Sequence, residues 1–171
     1  MGGLIALMVE IEFPSLVDAL ILEAPAIKIH PSTGAWWQIL GAKLLNRIAP
    51  NTKVVKVDIN LISRNPTVVQ SIADDELTFD CGGCSDGFVV KMLNAQDYVI
   101  SRLDTIKCKV LLASGTDDFL TCKTGADLAA SKIDGVTYNV YEGGYHQLHA
   151  DDEPTTNKFM ADVADWIQKQ F

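Results

Sequence analysis

Two residues that can exchange or hold a proton follow apolar runs in the second half of the chain. Asp118 comes shortly after the apolar run 109–113, and His146 comes shortly after the run 136–141. A histidine that a buried carboxylate holds in one tautomer takes a proton from a hydroxyl group and returns it to a leaving group. The two residues therefore predict acid–base catalysis at a hydroxyl nucleophile, with Asp117 as the alternative carboxylate. Taken singly, Asp118 also fits a helix N-cap and His146 a hydrogen-bonded loop histidine.

The elements around these residues alternate between strands and helices. Three short apolar runs predict strands, at 20–22, 109–113 and 136–141. Three longer patterns predict helices, at 3–11, 123–131 and 156–170. Such alternation is typical of an α/β fold with a parallel sheet, in which loops at the carboxyl ends of the strands carry the functional residues. We therefore expect Asp118 and His146 at the same edge of one sheet.

Residues 26–100 interrupt this alternation, and we expect them to form one insertion within a single domain of residues 1–171. Residues 24–57 contain no acidic residue and carry a charge of +5. Since the net charge of the chain is −8, the remaining residues carry −13. The basic residues are Lys28, Lys43, Arg47, Lys53 and Lys56.

An amphipathic helix is predicted in the basic segment. Trp36, Leu40, Leu44 and Ile48 repeat every four residues, and Trp37 lies beside them. Tryptophan suits a membrane interface, and nearby cations favour anionic lipid. We expect this face to contact a membrane surface or an acyl chain; a helix packed on its own domain is the alternative.

Composition excludes several classes of protein. The net charge of −8 argues against a nucleic-acid-binding protein. The apolar start has no basic residue before it, so it does not resemble a signal peptide, and no run is long enough to span a bilayer. We expect a cytoplasmic protein with peripheral membrane association, without cofactor or metal. The pair Cys81 and Cys84 has no second pair to complete a zinc site, and a metal pair of His146 with His149 lacks a third ligand.

Five motifs in order resemble the monoacylglycerol lipases, a family of α/β hydrolases, over nearly the whole chain. They are Asn46-Arg47-Ile48-Ala49-Pro50-Asn51, Leu61-Ile62-Ser63-Arg64-Asn65, Leu93-Asn94-Ala95, Gly115-Thr116-Asp117-Asp118 and Tyr141-Glu142-Gly143-Gly144-Tyr145-His146-Gln147-Leu148-His149. The resemblance implies a serine hydrolase that releases fatty acid and glycerol from monoacylglycerol, with a cap formed by the insertion. It implies Asp118 as the catalytic acid and His146 as the base.

The resemblance departs from the family at the start of the chain. Met1-Gly2-Gly3 resembles the end of the family's Gly-x-Ser-Met-Gly-Gly elbow, so the nucleophile serine is expected just before Met1. Met1 then takes the position that donates a backbone N–H to the oxyanion. On this interpretation the chain is the C-terminal portion of a partial α/β-hydrolase fold and is inactive alone. The alternative is a non-catalytic lipid-interface or interaction module on the same fold.

One internal motif competes for the role of nucleophile. Gly83-Cys84-Ser85-Asp86-Gly87 matches Gly-x-Ser-x-Gly, and Ser85 precedes Asp118 and His146 in the order typical of hydrolases. An elbow needs a buried strand before it, whereas the preceding segment 74–80 carries four carboxylates. We therefore expect Ser85 not to be the nucleophile.

Overall fold

The computed structural model describes residues 1–31, 36–49, 51–77 and 83–171; for residues 36–39 and 43 it describes the backbone alone. Six helices are found in these ranges: α1 Gly2–Glu12, α2 Trp36–Leu45, α3 Pro66–Asp74, α4 Asp86–Ile100, α5 Lys123–Lys132 and α6 Glu153–Gln170. The strands there are β1 Ala19–Glu23, β2 Lys53–Val55, β3 Cys84–Ser85, β4 Lys109–Gly115 and β5 Thr137–Tyr141. Single 3₁₀ turns lie at Ile59–Leu61, Leu103–Thr105 and Leu148–Ala150.

A parallel sheet of three strands, in the order β1-β4-β5, forms the centre of the fold. Leu22 pairs with Leu112, and Ala113 pairs with Asn139. The strand β4 is buried along its whole length after Lys109 because it lies between two neighbours and has helices on both faces. The expected α/β architecture is confirmed.

The two faces of β4 belong to two separate apolar clusters. Val110 and Leu112 pack in the larger cluster, together with residues of α1, α4 and α5. Ala113 packs in the smaller cluster with Phe159 of α6. Successive side chains of a strand point to opposite faces of the sheet. This division therefore places α6 on the opposite face of the sheet from α1, α4 and α5.

Helix α6 begins three residues earlier than its apolar pattern predicts. The Asp152 side chain accepts a hydrogen bond from the Thr155 backbone N–H at 3.1 Å, which caps the helix before Glu153. Phe159 and Trp166 of the predicted apolar face are buried, whereas Ile167 is 42% exposed.

The segment between β1 and β4 holds α2, α3, α4 and the antiparallel pair β2 and β3. Helix α4 contacts both α2 and α1, and so connects this segment to the helices on the sheet. Helix α2 ends at Leu45, before the predicted position Ile48. Residues 46–48 form turns instead, and Pro50, which disfavours helix in the residue before it, follows in the sequence. Over the described ranges, no helix combines the length and apolar character needed to cross a membrane.

Candidate active site

Asp118 lies in the loop that follows β4, at the carboxyl end of the sheet. Its side chain is almost fully buried, and its residue is 6% exposed. One carboxylate oxygen, Oδ1, accepts backbone N–H groups of Leu120 at 2.8 Å and Thr121 at 2.9 Å. The other oxygen, Oδ2, accepts the Thr121 hydroxyl at 2.6 Å. These bonds fix the orientation of the carboxylate.

His146 lies in the loop that follows β5, and its Nδ1 is 2.8 Å from Oδ2 of Asp118. Burial alone would raise the pKa of Asp118, but hydrogen bonds from His146 and Thr121 outweigh it and hold that pKa below its ordinary value. An ionised carboxylate only accepts, so Nδ1 of His146 is the donor of this bond, and in the neutral imidazole Nε2 is then the acceptor. This is the arrangement that a general base requires.

The structure brings Asp118, and not Asp117, to His146. The Asp117 residue is exposed, and the nearest polar group to its carboxylate among the described contacts is the Thr116 hydroxyl, at 3.2 Å. Its backbone N–H donates to the Gly144 carbonyl at 3.0 Å. Asp117 therefore joins the two loops through its main chain.

The two loops touch so closely that side chains are excluded between them. A Cβ at Gly115 would lie 2.0 Å from the Gly144 carbonyl oxygen, which no real Cβ atom approaches. The Thr116 N–H donates to the Tyr141 carbonyl at 3.0 Å, and the Gly143 N–H donates to the Thr116 hydroxyl at 2.7 Å. Glycine at position 115 thus sets the distance between the loop that carries Asp118, called the acid loop for its proposed role, and the loop that carries His146, called the base loop.

The charge of Asp118 acts on the first residue of the chain. The Met1 carbonyl accepts the N–H groups of Leu4 at 2.9 Å and Ile5 at 3.2 Å, so it begins α1. Burial lowers the pKa of the Met1 amino group, and the negative charge of Asp118 acts against this effect. The N-terminus of α1 is therefore within electrostatic reach of Asp118.

Ser85 has the geometry of a helix cap. Its hydroxyl accepts the Phe88 N–H at 3.2 Å at the start of α4. Ser85 is itself the second residue of the two-residue strand β3, which pairs with β2 outside the main sheet. A nucleophile elbow places its serine on a sharp turn after a strand of the main sheet, which Ser85 does not follow.

His149, which the sequence places beside His146, contacts a different carboxylate. Its Nδ1 lies 2.7 Å from Oε2 of Glu23, and its backbone N–H donates to Oε1 of Glu23 at 3.0 Å. No group of three or more potential metal ligands occurs in the described part of the chain. Cys81, the other cysteine of the predicted pair, lies outside the described residues.

Two buried polar groups beside the loop that carries His146 have contacts that the sequence does not indicate. Asp151 is 2% exposed and binds the guanidinium of Arg64, with Nη2 to Oδ2 at 2.8 Å. Ser63 is 3% exposed, and its hydroxyl donates to the Ala150 carbonyl at 2.6 Å. Arg64 and Asp151 are 87 residues apart, so no local pattern indicates their pairing.

The predicted membrane-contact residues are described in part. Leu40 is 52% exposed and Leu44 is 63% exposed, on the same side of α2. The side chains of Trp36 and Trp37 lie outside the described atoms.

Comparison with known proteins shows similarity to one hydrolase family and to monoglyceride lipases. The model of the family described as serine aminopeptidase, S33, matches residues 1–153. Monoglyceride lipase of Mus musculus is 31% identical over 169 residues, which are 98% of this chain and 55% of the relative. Monoglyceride lipase of Homo sapiens is 30% identical over 99% of this chain and 56% of its own length. The chain thus spans about half the length of the curated relatives that it matches.

A solved structure supports the fold assignment. The crystal structure of Paleococcus ferrophilus monoacylglycerol lipase aligns with 99% of this chain and 65% of its own, with a TM-score of 0.86 and 24% identity. At that identity the likeness establishes a partial α/β-hydrolase fold. From the match to residues 1–153, the chain belongs to the hydrolase family described as serine aminopeptidase, S33.

Proposed function

We propose that this chain supplies the acid and the base of a serine hydrolase that cleaves monoacylglycerol to fatty acid and glycerol. The observation that carries the proposal is the 2.8 Å contact between His146 Nδ1 and Asp118 Oδ2 in adjoining loops at the carboxyl edge of the sheet. Relatives named monoglyceride lipase support the choice of substrate.

The proposed chemistry divides ester hydrolysis into two steps. Nε2 of His146 takes the proton of a serine hydroxyl as its oxygen attacks the ester carbon, and it gives that proton to the departing glycerol oxygen. An acyl-serine remains. Water then attacks this acyl-serine, and its proton passes through His146 back to the serine oxygen as the fatty acid leaves. Asp118 stays ionised throughout and stabilises the imidazolium.

The proposal assigns the nucleophile to a serine outside these 171 residues, immediately ahead of Met1. Two observations favour that position: Met1 is the N-cap of α1, and the charge of Asp118 acts on the Met1 amino group. In a polypeptide that continues ahead of Met1, this nitrogen is a backbone amide, and the proposal gives it the role of an oxyanion donor.

A serine-reactive fluorophosphonate tests where the nucleophile lies. The chain alone is expected to form no adduct, because Ser85 caps α4 and no other serine is proposed to act. An adduct on Ser85, located by mass spectrometry and removed by Ser85→Ala, would overturn the assignment.

The coding sequence upstream of Met1 separates the hydrolase from a non-catalytic module. An open reading frame that continues upstream and ends in Gly-x-Ser supports the hydrolase. An untranslated leader directly before Met1 would instead support a lipid-interface or interaction module, and the proposed activity would be withdrawn.

We further propose that residues 26–100 form a cap and that α2 contacts a membrane surface or the acyl chain. Leu44 is 63% exposed and Ile48 is 85% exposed, although both are large and apolar. Arg47, also exposed, adds positive charge beside them, which favours anionic lipid. A helix with exposed apolar residues and nearby cations is typical of an interfacial helix, and this supports peripheral association.

Sedimentation with anionic phospholipid vesicles tests the membrane contact. A smaller fraction of the protein is expected to sediment with the vesicles in three variants than in the wild type: Trp36→Ala, Trp37→Ala and Leu44→Gln. Ile167→Gln is the matched control, since Ile167 is an exposed apolar residue on α6. Equal binding by all variants would count against membrane contact through α2.

A further inference from the structure

A short segment of the proposed cap, residues 62–64, runs along the loop that carries His146. The Gln147 N–H donates to the Ile62 carbonyl at 2.9 Å, and the Ser63 hydroxyl donates to the Ala150 carbonyl at 2.6 Å. Two elements that are distant in the sequence are thus held together just after the histidine. Their contact does not include the proposed reacting atoms.

Asp151 gathers the hydrogen bonds on both sides of this contact. Its Oδ1 accepts the Arg64 N–H at 2.7 Å, and its Oδ2 accepts the Tyr145 N–H at 2.9 Å. The Arg64 guanidinium adds Nε contacts of 3.2 and 3.1 Å to the two oxygens and an Nη2 contact of 2.8 Å to Oδ2. Burial alone would raise the pKa of Asp151, but these donors outweigh it and keep that pKa low.

Arg64 reaches beyond Asp151 to the start of α6. Its Nη2 donates to Asp152 Oδ1 at 2.9 Å and to the Thr155 hydroxyl at 2.8 Å, and its guanidinium carbon lies 5.7 Å from the centre of the Tyr145 ring. A planar guanidinium holds these directions at once, whereas a lysine ammonium is a single point on a flexible stem. The site therefore requires arginine and not merely a positive charge.

The residues immediately before and after His146 are both bound into this network. Tyr145 is held by Asp151, and Gln147 is held by Ile62. Their backbone positions determine where the imidazole projects. We propose that Arg64 is a positioning residue, which holds His146 against Asp118. It fixes the backbone before the histidine through Asp151, and its neighbour Ile62 holds the backbone after the histidine.

This inference rests on the proposed role of His146 as the base, and it adds a link between cap and catalytic loop. Segment 62–64 leads directly into α3, whose N-cap Asn65 donates its backbone N–H to the Ser63 hydroxyl at 2.9 Å. A displacement of this part of the proposed cap is therefore expected to displace the loop that carries His146.

NMR spectroscopy of the 171-residue chain with labelled histidine tests the proposal without requiring activity. The measured quantity is the exchange rate of the His146 Nδ1 proton with solvent. In Arg64→Gln this rate is expected to rise about tenfold or more, because the histidine loop opens more often. Arg64→Lys is expected to behave like Arg64→Gln, since it restores the charge without the planar fork.

Two controls separate positioning from a general loss of structure. Lys169→Gln breaks an exposed ion pair with Asp165 at 2.6 Å and is expected to leave His146 unchanged. The Trp166 indole N–H, which donates to the Thr137 hydroxyl at 3.0 Å, reports whether the distant fold is intact in each variant. If Arg64→Gln loses this signal, Arg64→Lys carries the test.

The outcomes distinguish the inference from the proposed function. A wild-type chain without a protected Nδ1 proton would remove the catalytic pair, and the positioning role with it. A protected proton whose exchange is the same in wild type and in an intact Arg64 variant would leave the pair standing and overturn the positioning role. Full rescue by Arg64→Lys would also overturn it, because charge alone would then suffice.

Discussion

Ser85 shows how one residue type in a catalytic-looking motif serves an ordinary structural role. Its hydroxyl caps α4 by accepting the Phe88 N–H at 3.2 Å. Replacement of an N-cap serine by alanine costs about 0.5–2 kcal/mol of stability. Ser85→Ala is therefore expected to lower the free energy of unfolding by that amount in urea titration. Ser85→Asp retains a capping acceptor and is expected to stay close to wild type; equal losses in both variants would contradict the cap assignment.

The sequence predicts that the proposed acid and base lie together because each follows its own strand. Asp118 and His146 follow β4 and β5, and parallel strands bring their carboxyl ends to one edge. The choice between Asp117 and Asp118 required the structure, since adjacent loop residues differ only in the directions of their side chains. Arg64 and Asp151 could not be paired from the sequence, because their contact depends on how the insertion folds back over the sheet.

At the scale of elements, the acid loop and the base loop act as one unit because Gly115 allows them to touch. A Cβ at this position would lie 2.0 Å from the Gly144 carbonyl oxygen and 2.8 Å from that of Tyr145. Since both neighbours are backbone atoms, the loops must separate to accommodate it. Gly115→Ala is expected to destabilise the chain by about 1–3 kcal/mol, the usual cost of overpacking.

The same substitution is expected to loosen the contact between His146 and Asp118, which histidine NMR would detect as faster exchange of the Nδ1 proton. Gly135→Ala separates this effect from the general cost of replacing a loop glycine. Gly135 has no neighbouring atom within 4 Å of a built Cβ, although its φ of +67° makes alanine strained there. An unchanged His146 signal in Gly115→Ala would show that the two loops are held together by other contacts.

Local sequence signals predict the positions of the strands and of the start of α6. The apolar runs located all three strands of the main sheet, and β4 proved longer than its run because Ser114 and Gly115 continue the pairing with β5. The apolar pattern predicts a start of α6 that is too late. Asp152 followed by Glu153 and Pro154 is a recognisable helix start. The apolar pattern alone begins only where the helix meets the sheet.

At the scale of the whole molecule, buried carboxylates link stability to pH. The pKa values of Asp118 and Asp151 are both lowered in the folded chain. A lowered folded pKa means that stabilisation is present above the unfolded value of about 3.9 and is lost as pH falls through the folded pKa. The stability of the fold is therefore expected to fall as the medium is acidified below about pH 4.

Asp151→Asn tests the contribution of Asp151 to this acid sensitivity. The difference in unfolding free energy between wild type and variant is expected to be largest near neutral pH and to shrink below about pH 4, where the wild-type carboxyl gains its proton. Urea denaturation at a series of pH values measures it. A difference that stays constant down to strongly acidic pH would mean that the charge of Asp151 does not contribute to folding.

The most direct measurement is ester hydrolysis by a chimera that extends this chain to the length of its relatives. The part of mouse monoglyceride lipase that precedes the matched region is joined to Met1, and glycerol release from monooleoylglycerol is followed. The chimera is expected to hydrolyse the ester, His146→Gln to reduce the rate by about 10³-fold or more, and Ser85→Ala to leave it unchanged. A folded chimera that releases no glycerol, or one whose activity survives His146→Gln, would contradict the proposed role of this chain.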